Sequence, residues 1–86
     1  MTYERAKQLM EAELGDEIVA LEPDAGLCFG FNPVAASVWR LLDQPRTVDQ
    51  LQAALLDEYD VEPERCAADL QLLLADLTER KLIRIT

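Results

Sequence analysis

The 86-residue chain has no histidine, only two cysteines and only eight basic residues against 17 acidic ones. Without histidine it lacks both the usual general base near neutral pH and the commonest metal ligand. Its formal net charge of −9 repels the phosphate backbones of nucleic acids and the surfaces of anionic bilayers. We therefore predict that neither nucleic acid nor a membrane surface is a partner.

The cysteines and the short apolar runs limit the compartment and the cofactors. Cys28 and Cys66 stand far apart and form no Cys-x-x-Cys pair, so the zinc and dithiol-redox patterns are missing. We interpret them as small apolar residues of a reduced protein, and whether they meet in space stays open. No signal-peptide pattern is present, and runs such as residues 72–75 are too short for a membrane span. The sequence predicts a cytoplasmic protein with no metal and no cofactor.

Catalysis is the activity that the residues favour least. A chain of 86 residues can bury one core but has little left to wall a deep active site. Only carboxylates and lysines remain to activate Ser37, Cys28 or Cys66, and no nucleophile lies in a pattern that pairs it with a base. Three glycines are too few for a phosphate-cradling loop. We predict a binding protein without catalytic residues.

The first half of the chain predicts strands. Residues 17–21 are apolar and β-branched, residues 22–26 supply turn chemistry, and residues 27–31 form a second apolar run. These runs predict a hairpin in which Leu27, Phe29 and Phe31 share one face, with Cys28 and Gly30 on the other. A weaker strand is expected at residues 12–14.

Three helices and a short strand follow. Asn32 before Pro33 starts the first helix, which should end near Asp43. Thr47 and Gln50 form a capping box for a second helix that reaches about Tyr59, and Pro63 opens the third. Residues 82–85 close the chain as a strand.

Helical spacing predicts which side chains are buried. In the first helix the expected core residues are Val34, Val38, Trp39, Leu41 and Leu42. In the third they are Cys66, Leu70, Leu73 and Leu77, with Ala67 and Leu74 beside them. Leu72 projects from the opposite side between Asp69 and Asp76, either as an ordinary exposed leucine or as a contact site.

The order of elements predicts an α+β fold of the winged helix-turn-helix type, spanning residues 1–86 as one domain. Its small N-terminal antiparallel sheet is followed by three helices and a C-terminal strand. Such folds usually bind DNA, but here the second and third helices carry many acids and few bases. That sign is wrong for a recognition helix.

An ordered series of segments carries a family resemblance. The segments are Ile-Val-Ala-Leu-Glu-Pro-Asp-Ala-Gly (18–26), Phe-Gly-Phe-Asn-Pro-Val-Ala-Ala-Ser-Val-Trp (29–39), Leu-Leu-Asp (41–43), Arg-Thr-Val-Asp-Gln-Leu (46–51) and Ala-Asp-Leu (68–70) with Leu73 and Leu77. Over about residues 17–83 the chain resembles the PqqD family, the peptide chaperones of pyrroloquinoline quinone biosynthesis. More broadly, the family includes recognition elements for ribosomally synthesised, post-translationally modified peptides. Phe31, Ala36 and Lys81 depart from the commonest pattern, and Lys81 replaces a glycine near the end of the last helix.

The resemblance implies that the leader segment of a precursor peptide binds by strand addition, in a cleft between the second hairpin strand and the third helix. The residues that it implicates are Leu27, Cys28, Phe29, Gly30, Phe31, Cys66, Asp69, Leu70, Leu73 and Asp76. It also implies a separate processing or modifying enzyme as partner, such as the leader protease of a lasso-peptide pathway. Pyrroloquinoline quinone assembly itself is the runner-up. A winged-helix DNA-binding regulator is the alternative of another class, and a small enzyme comes third.

Overall fold

The chain forms six strands and three helices, which the computed structural model describes over all residues, Met1–Thr86. In chain order they are β1 (Thr2–Arg5), β2 (Met10–Leu14), β3 (Glu17–Glu22), β4 (Leu27–Phe31), α1 (Pro33–Leu41), β5 (Arg46–Thr47), α2 (Val48–Glu58), α3 (Pro63–Glu79) and β6 (Ile83–Ile85).

The strands make two three-stranded antiparallel sheets. The hairpin sheet has the order β2-β3-β4, and the terminal sheet has the order β5-β1-β6. The predicted α+β class, with its hairpin, three helices and closing strand, is confirmed. The terminal sheet was not expected, because β1 has one buried apolar residue, Tyr3, and its pairing partner Ile85 lies at the far end of the chain.

The two faces of the hairpin sheet have different surroundings. Ile18 pairs with Phe31 and Ala20 pairs with Phe29, and these side chains point toward α1 and the core. Val19 pairs with Gly30 and Leu21 pairs with Cys28, and these alternate to the opposite side. The predicted division of β4 between Phe29 and Phe31 on one face and Cys28 and Gly30 on the other therefore holds.

Trp39 is the centre of the core and is wholly buried. Its ring lies 5.4 Å from the Phe31 ring, measured between centroids, at an angle of 34°. On another side the Arg5 guanidinium carbon lies 4.3 Å from a Trp39 ring centroid. Arg5 also donates hydrogen bonds to the Trp39 carbonyl oxygen. The predicted core position of Trp39 is correct, and its contacts join α1 to both sheets.

The predicted core stripe of α1 is partly wrong. Val34 is 39% exposed, whereas Ala35, Ala36 and Ser37 are buried together with Val38 and Trp39. Small side chains let a helix approach a sheet closely, so the contact face of α1 is set by its short residues as well as by its bulky ones.

The stripe of α3 differs from the prediction by one position. Cys66, Leu70, Leu74 and Leu77 are buried, whereas Leu73 is only half-buried. Both sets follow helical spacing. Periodicity alone could not decide which of two adjacent leucines faces the core and which faces β4.

The helix starts follow the predicted capping chemistry. Asn32 Oδ1 accepts a hydrogen bond from Ala35 N at 2.9 Å, with Pro33 in the first turn of α1. At α2, Gln50 N donates to Thr47 Oγ1 at 3.1 Å and Thr47 N donates to Gln50 Oε1 at 2.9 Å. These caps satisfy amides that have no partner within the helix. The end of α1 is Leu41, two residues before the predicted Asp43.

The end of α3 shows what Lys81 does in place of glycine. Lys81 has a φ of 62°, in the left-handed region. Leu82 N donates to the Leu77 carbonyl and Lys81 N donates to the Thr78 carbonyl, each at 3.0 Å. This is the Schellman pattern, which normally places glycine at the left-handed residue. The helix ends where a glycine would end it, at the cost of a strained lysine.

We predict that Lys81→Gly stabilises the protein by about 0.5–1 kcal/mol, because glycine adopts the left-handed region without a Cβ clash. Urea unfolding measures the change. Arg80→Gly is the matched control, because Arg80 has an ordinary helical φ of −75° and glycine there should destabilise by about 0.5–1 kcal/mol. Equal effects of the two variants would contradict the account of this helix end.

Candidate functional site

Strand β4 is an edge strand of the hairpin sheet. Its one neighbour is β3, so the main-chain groups that point away from β3 have no strand to pair with. No proline and no charged residue interrupts β4, whose sequence is Leu-Cys-Phe-Gly-Phe. Natural edge strands are usually blocked by such residues. The edge of β4 is therefore open to another extended segment.

A cleft runs between this edge and helix α3. It encloses a cavity of about 180 Å³. We call it the β4–α3 cleft, and its lining residues are Phe29, Gly30, Phe31, Asn32, Ala35, Leu73, Asp76, Leu77 and Arg80. Phe31, Ala35 and Leu77 are buried and form its apolar interior, while Asp76 and Arg80 stand exposed at its rim. An apolar cleft next to unpaired backbone groups can hold a peptide strand and one of its side chains.

A second cavity, of about 280 Å³, lies further along α3. We call it the α2–α3 hollow, and it is lined by Val34, Leu55, Tyr59, Asp60, Val61, Cys66, Asp69 and Leu70. Val34 at the start of α1 belongs to this hollow, and the next residue, Ala35, belongs to the cleft. The two cavities thus adjoin one another along α3, with the first turn of α1 between them.

The ten residues predicted for a peptide site are distributed over these surfaces. Phe29, Gly30, Phe31, Leu73 and Asp76 line the cleft. Cys66, Asp69 and Leu70 line the α2–α3 hollow instead. Leu27 and Cys28 line neither cavity and are exposed on the free part of β4.

Four further residues line the cleft that the sequence does not predict for it, namely Asn32, Ala35, Leu77 and Arg80. The sequence predicts Asn32 as a helix cap and Leu77 as a core residue, and it does not distinguish Ala35. Arg80 follows Asp76 by four positions, the spacing of a helical ion pair. That spacing is the one signal in the sequence for Arg80.

Asp76 at the cleft and Asp69 at the α2–α3 hollow already have partners on their own helix. Asp76 Oδ2 lies 3.1 Å from Arg80 Nε, and Asp69 Oδ2 lies 3.6 Å from Arg65 Nε. All four side chains are more than half exposed. Such exposed pairs contribute only about 0.3–0.5 kcal/mol. A basic group on a ligand could therefore replace either arginine at little cost.

The nucleophilic side chains considered in the sequence are one serine and two cysteines. Ser37 is buried, and its Oγ donates to Glu58 Oε1 at 3.1 Å and lies 3.0 Å from the Tyr59 hydroxyl. The Tyr59 hydroxyl also donates to the Pro33 carbonyl at 3.2 Å. These hydrogen bonds link the end of α2 to α1. Cys28 is exposed and Cys66 is buried, and both are free thiols.

None of the helices combines the length and the apolar character that crossing a membrane requires. The longest of them, α3, has 17 residues and exposes acidic side chains.

Comparison with known proteins identifies the family. The family model described as "Coenzyme PQQ synthesis protein D (PqqD)" matches residues 17–83. Among solved structures, the chain is similar to "TbiB1 in Complex with the TbiA(beta) Leader Peptide", with a TM-score of 0.83, 25% sequence identity and 96% of each chain covered. No match was found among curated proteins. The family match begins at β3 and ends at β6, so it includes both walls of the cleft. The chain belongs to the PqqD family, as its sequence motifs predicted.

Proposed function

We propose that this protein binds the leader segment of a ribosomally synthesised precursor peptide and presents it to a separate processing or modifying enzyme. The leader would add to β4 as a fourth strand of the hairpin sheet. The observation that carries the proposal is the open edge of β4 beside an apolar cleft. Support comes from the family and from TbiB1, which resembles this chain over 96% of its length and is in complex with a leader peptide.

Backbone pairing would supply a large part of the affinity. An extended peptide beside β4 would satisfy amides and carbonyls that now face solvent. The space beside Gly30, in the middle of this strand, is open, since a Cβ built there meets no other heavy atom within 4 Å. Main-chain bonds accept almost any residue sequence, so discrimination must come from side chains.

The cleft and the hollow would supply that discrimination. Successive side chains of an added strand point alternately to its two faces. Those on the inner face would meet Leu73, Leu77 and Phe31 in the cleft, which favours an apolar leader residue. The α2–α3 hollow lies beyond the Phe31 end of β4 and would take a further apolar side chain. Asp76 and Asp69 would favour basic residues of the leader near each cavity.

The identity of the partner enzyme is part of this proposal. A leader protease of a lasso-peptide pathway, or a radical-based modifying enzyme, would fit a protein that holds a leader without cutting it. The assembly of pyrroloquinoline quinone is the second candidate, favoured by the description of the matching family. Neighbouring genes would separate these pathways.

We predict that the purified protein does not process the precursor, because it has no histidine and its Ser37 hydroxyl is buried in a structural network. The precursor peptide encoded beside its gene is incubated with the protein and followed by mass spectrometry, with the partner enzyme added in a parallel reaction. A changed mass without the enzyme would contradict the prediction.

We predict that Gly30→Pro weakens leader binding by at least about tenfold, equivalent to ~1.4 kcal/mol, because proline removes an amide donor from the edge. Cys28→Pro should act in the same way. Titration with a labelled leader peptide measures the affinity, and thermal unfolding shows whether each variant is folded.

Glu13→Pro on the opposite edge is the matched control. Gly30 is opposite Val19 and Glu13 is opposite Ile18. Successive residues of β3 point their main-chain groups alternately to β2 and β4. Leu14 and Glu17 flank a two-residue turn and form a hydrogen-bonded pair, so Val19 points to β2 and Ile18 points to β4. The amides of Gly30 and Glu13 therefore both point outward. Glu13→Pro also removes the ion pair with Arg40, so thermal unfolding is measured for both variants. A folded Gly30→Pro protein that binds leader as tightly as the Glu13→Pro protein would rule out strand addition at β4.

We predict that three adjacent leucines of α3 separate stability from binding. Leu74→Ala should destabilise by about 2–5 kcal/mol because Leu74 is buried in the core. Leu73→Ala should cost less stability but weaken leader binding at least about fivefold, equivalent to ~1 kcal/mol, because Leu73 lines the cleft. Leu72, which is 72% exposed, should change stability by less than about 0.5 kcal/mol when replaced by alanine. Loss of leader affinity in Leu72→Ala, with none in Leu73→Ala, would place the leader on the acidic face of α3.

A further inference from the structure

The side chains of strand β2 face the reverse way from those of an ordinary amphipathic strand: its polar residues face the protein and its apolar residues face solvent. Glu11 and Glu13 point to the protein side of the sheet, where Glu11 lies 3.7 Å from Arg5 and Glu13 lies 2.8 Å from Arg40. The apolar residues Met10, Ala12 and Leu14 alternate with them and face solvent. An antiparallel sheet with one free face normally puts its apolar residues inward and its polar residues outward. The inversion in β2 therefore needs a reason.

The exposed apolar residues of β2 continue across the sheet. Met10 pairs with Leu21, which pairs with Cys28, and Ala12 pairs with Val19, which pairs with Gly30. We call this surface the outer face, and its residues are Met10, Ala12, Leu14, Val19, Leu21, Cys28 and Gly30. Met10 and Leu14 are each 63% exposed and Leu21 is 39% exposed. A contiguous apolar surface of this kind is typical of an interaction site.

The charges around the outer face are all of one sign. Residues 10–31 contain six carboxylates and no lysine or arginine. Glu11, Glu13 and Glu22 pair with Arg5, Arg40 and Lys7 on the protein side of the sheet. The other three, Asp16, Glu17 and Asp24, make no ion pair and lie on the outer face or in the turns at its two ends.

We propose that the outer face docks a partner protein that presents an apolar patch bordered by lysine and arginine, and that this partner is the enzyme that acts on the bound precursor. The assignment of the partner rests on the proposed function. The acidic rim disfavours two other occupants. A second copy of this chain, with a net charge of −9, would bring like charges together, and an anionic bilayer would be repelled in the same way.

The outer face is also continuous with the proposed leader site. A strand added at β4 would extend the hairpin sheet by one strand, and every second side chain of that strand would lie on the outer face beside Cys28 and Gly30. An enzyme docked there would touch this protein and the bound leader together. By reciprocity, a leader that strengthens binding of the enzyme is itself held more tightly when the enzyme is present.

The test uses the purified enzyme encoded beside the gene of this chain, with its affinity for the protein measured by calorimetry with and without leader peptide. The double variant Leu14→Ser/Leu21→Ser should weaken enzyme binding at least about tenfold and leave leader binding unchanged. Leu72→Ser is the control, because Leu72 is an exposed leucine on α3, 72% exposed against 63% for Leu14 and 39% for Leu21, and it should change neither affinity.

Two further measurements keep the test independent of any folding defect. The triple variant Asp16→Asn/Glu17→Gln/Asp24→Asn changes only exposed charges, and it should weaken enzyme binding and reduce its dependence on salt. In the unmodified protein, the enzyme without leader should slow alkylation of Cys28, which is exposed, and leave the reaction of buried Cys66 unchanged.

The outcomes separate this inference from the proposed function. Unchanged enzyme affinity in both outer-face variants, or no protection of Cys28, would overturn the docking site. A dimer of the chain in sedimentation that Leu14→Ser/Leu21→Ser abolishes would assign the face to a second copy and would also overturn it. If the unmodified protein does not bind the leader peptide in the titration, the proposed function is rejected, while the enzyme measurements still decide what the outer face binds.

Discussion

The contact between Arg5, Trp39 and Phe31 is the interaction on which the rest of the structure depends. Trp39 has no exposed surface, and it meets Phe31 of the hairpin sheet and Arg5 of the terminal sheet. The Arg5 guanidinium lies over the indole ring, donates to the Trp39 carbonyl and reaches Glu11 of β2. A planar guanidinium can do all three, whereas an ammonium group would lose the stacked and forked geometry. One residue of α1 thereby holds both sheets.

This anchoring from the inner side explains why the hairpin sheet has two free surfaces. Its inner face is fixed to α1 through Ile18, Ala20 and Phe31, and its edge strand β2 is drawn inward by Glu11 and Glu13. Nothing in the chain covers the edge of β4 or the outer face. Open edges and exposed apolar faces favour aggregation, and proteins usually block them. Their presence in an otherwise ordinary fold is accounted for if both surfaces are covered by ligands in use.

The features that the sequence predicted correctly depend on neighbouring residues. The hairpin at residues 17–31, the caps at Asn32 and Thr47 and the burial of Trp39 follow from turn chemistry, capping oxygens and side-chain size. Strand β1 could not be found in this way, because its hydrogen bonds run to Thr86 and its partners Ile83 and Ile85 are almost the whole chain away. The choice between Leu73 and Leu74 depends on where β4 and β6 lie, which helical periodicity does not contain. For the same reason the predicted site residues of α3 divide between two cavities, since α3 passes α1 between Leu70 and Leu73.

Because the proposed binding uses main-chain atoms, the amino-acid sequence of this surface can differ widely between proteins that share the fold. The chain keeps the fold of TbiB1 at a TM-score of 0.83 with 25% sequence identity. A strand edge offers the same amides and carbonyls whatever side chains it carries, provided that its neighbours keep it straight and uncovered. Selection for leader binding would therefore act on the contacts that position β4, such as Phe31 against Trp39.

Selectivity for one precursor would rest on the few side chains that meet the leader, namely Leu73, Asp76 and Arg80 at the cleft and the residues of the α2–α3 hollow. Selectivity for one enzyme would rest on the outer face, which the leader-binding residues of α3 do not share. The residues of α3 that would select the precursor lie outside the outer face, so they could change without altering the surface of this chain that would bind the enzyme, and this separation suits a protein that works between two partners.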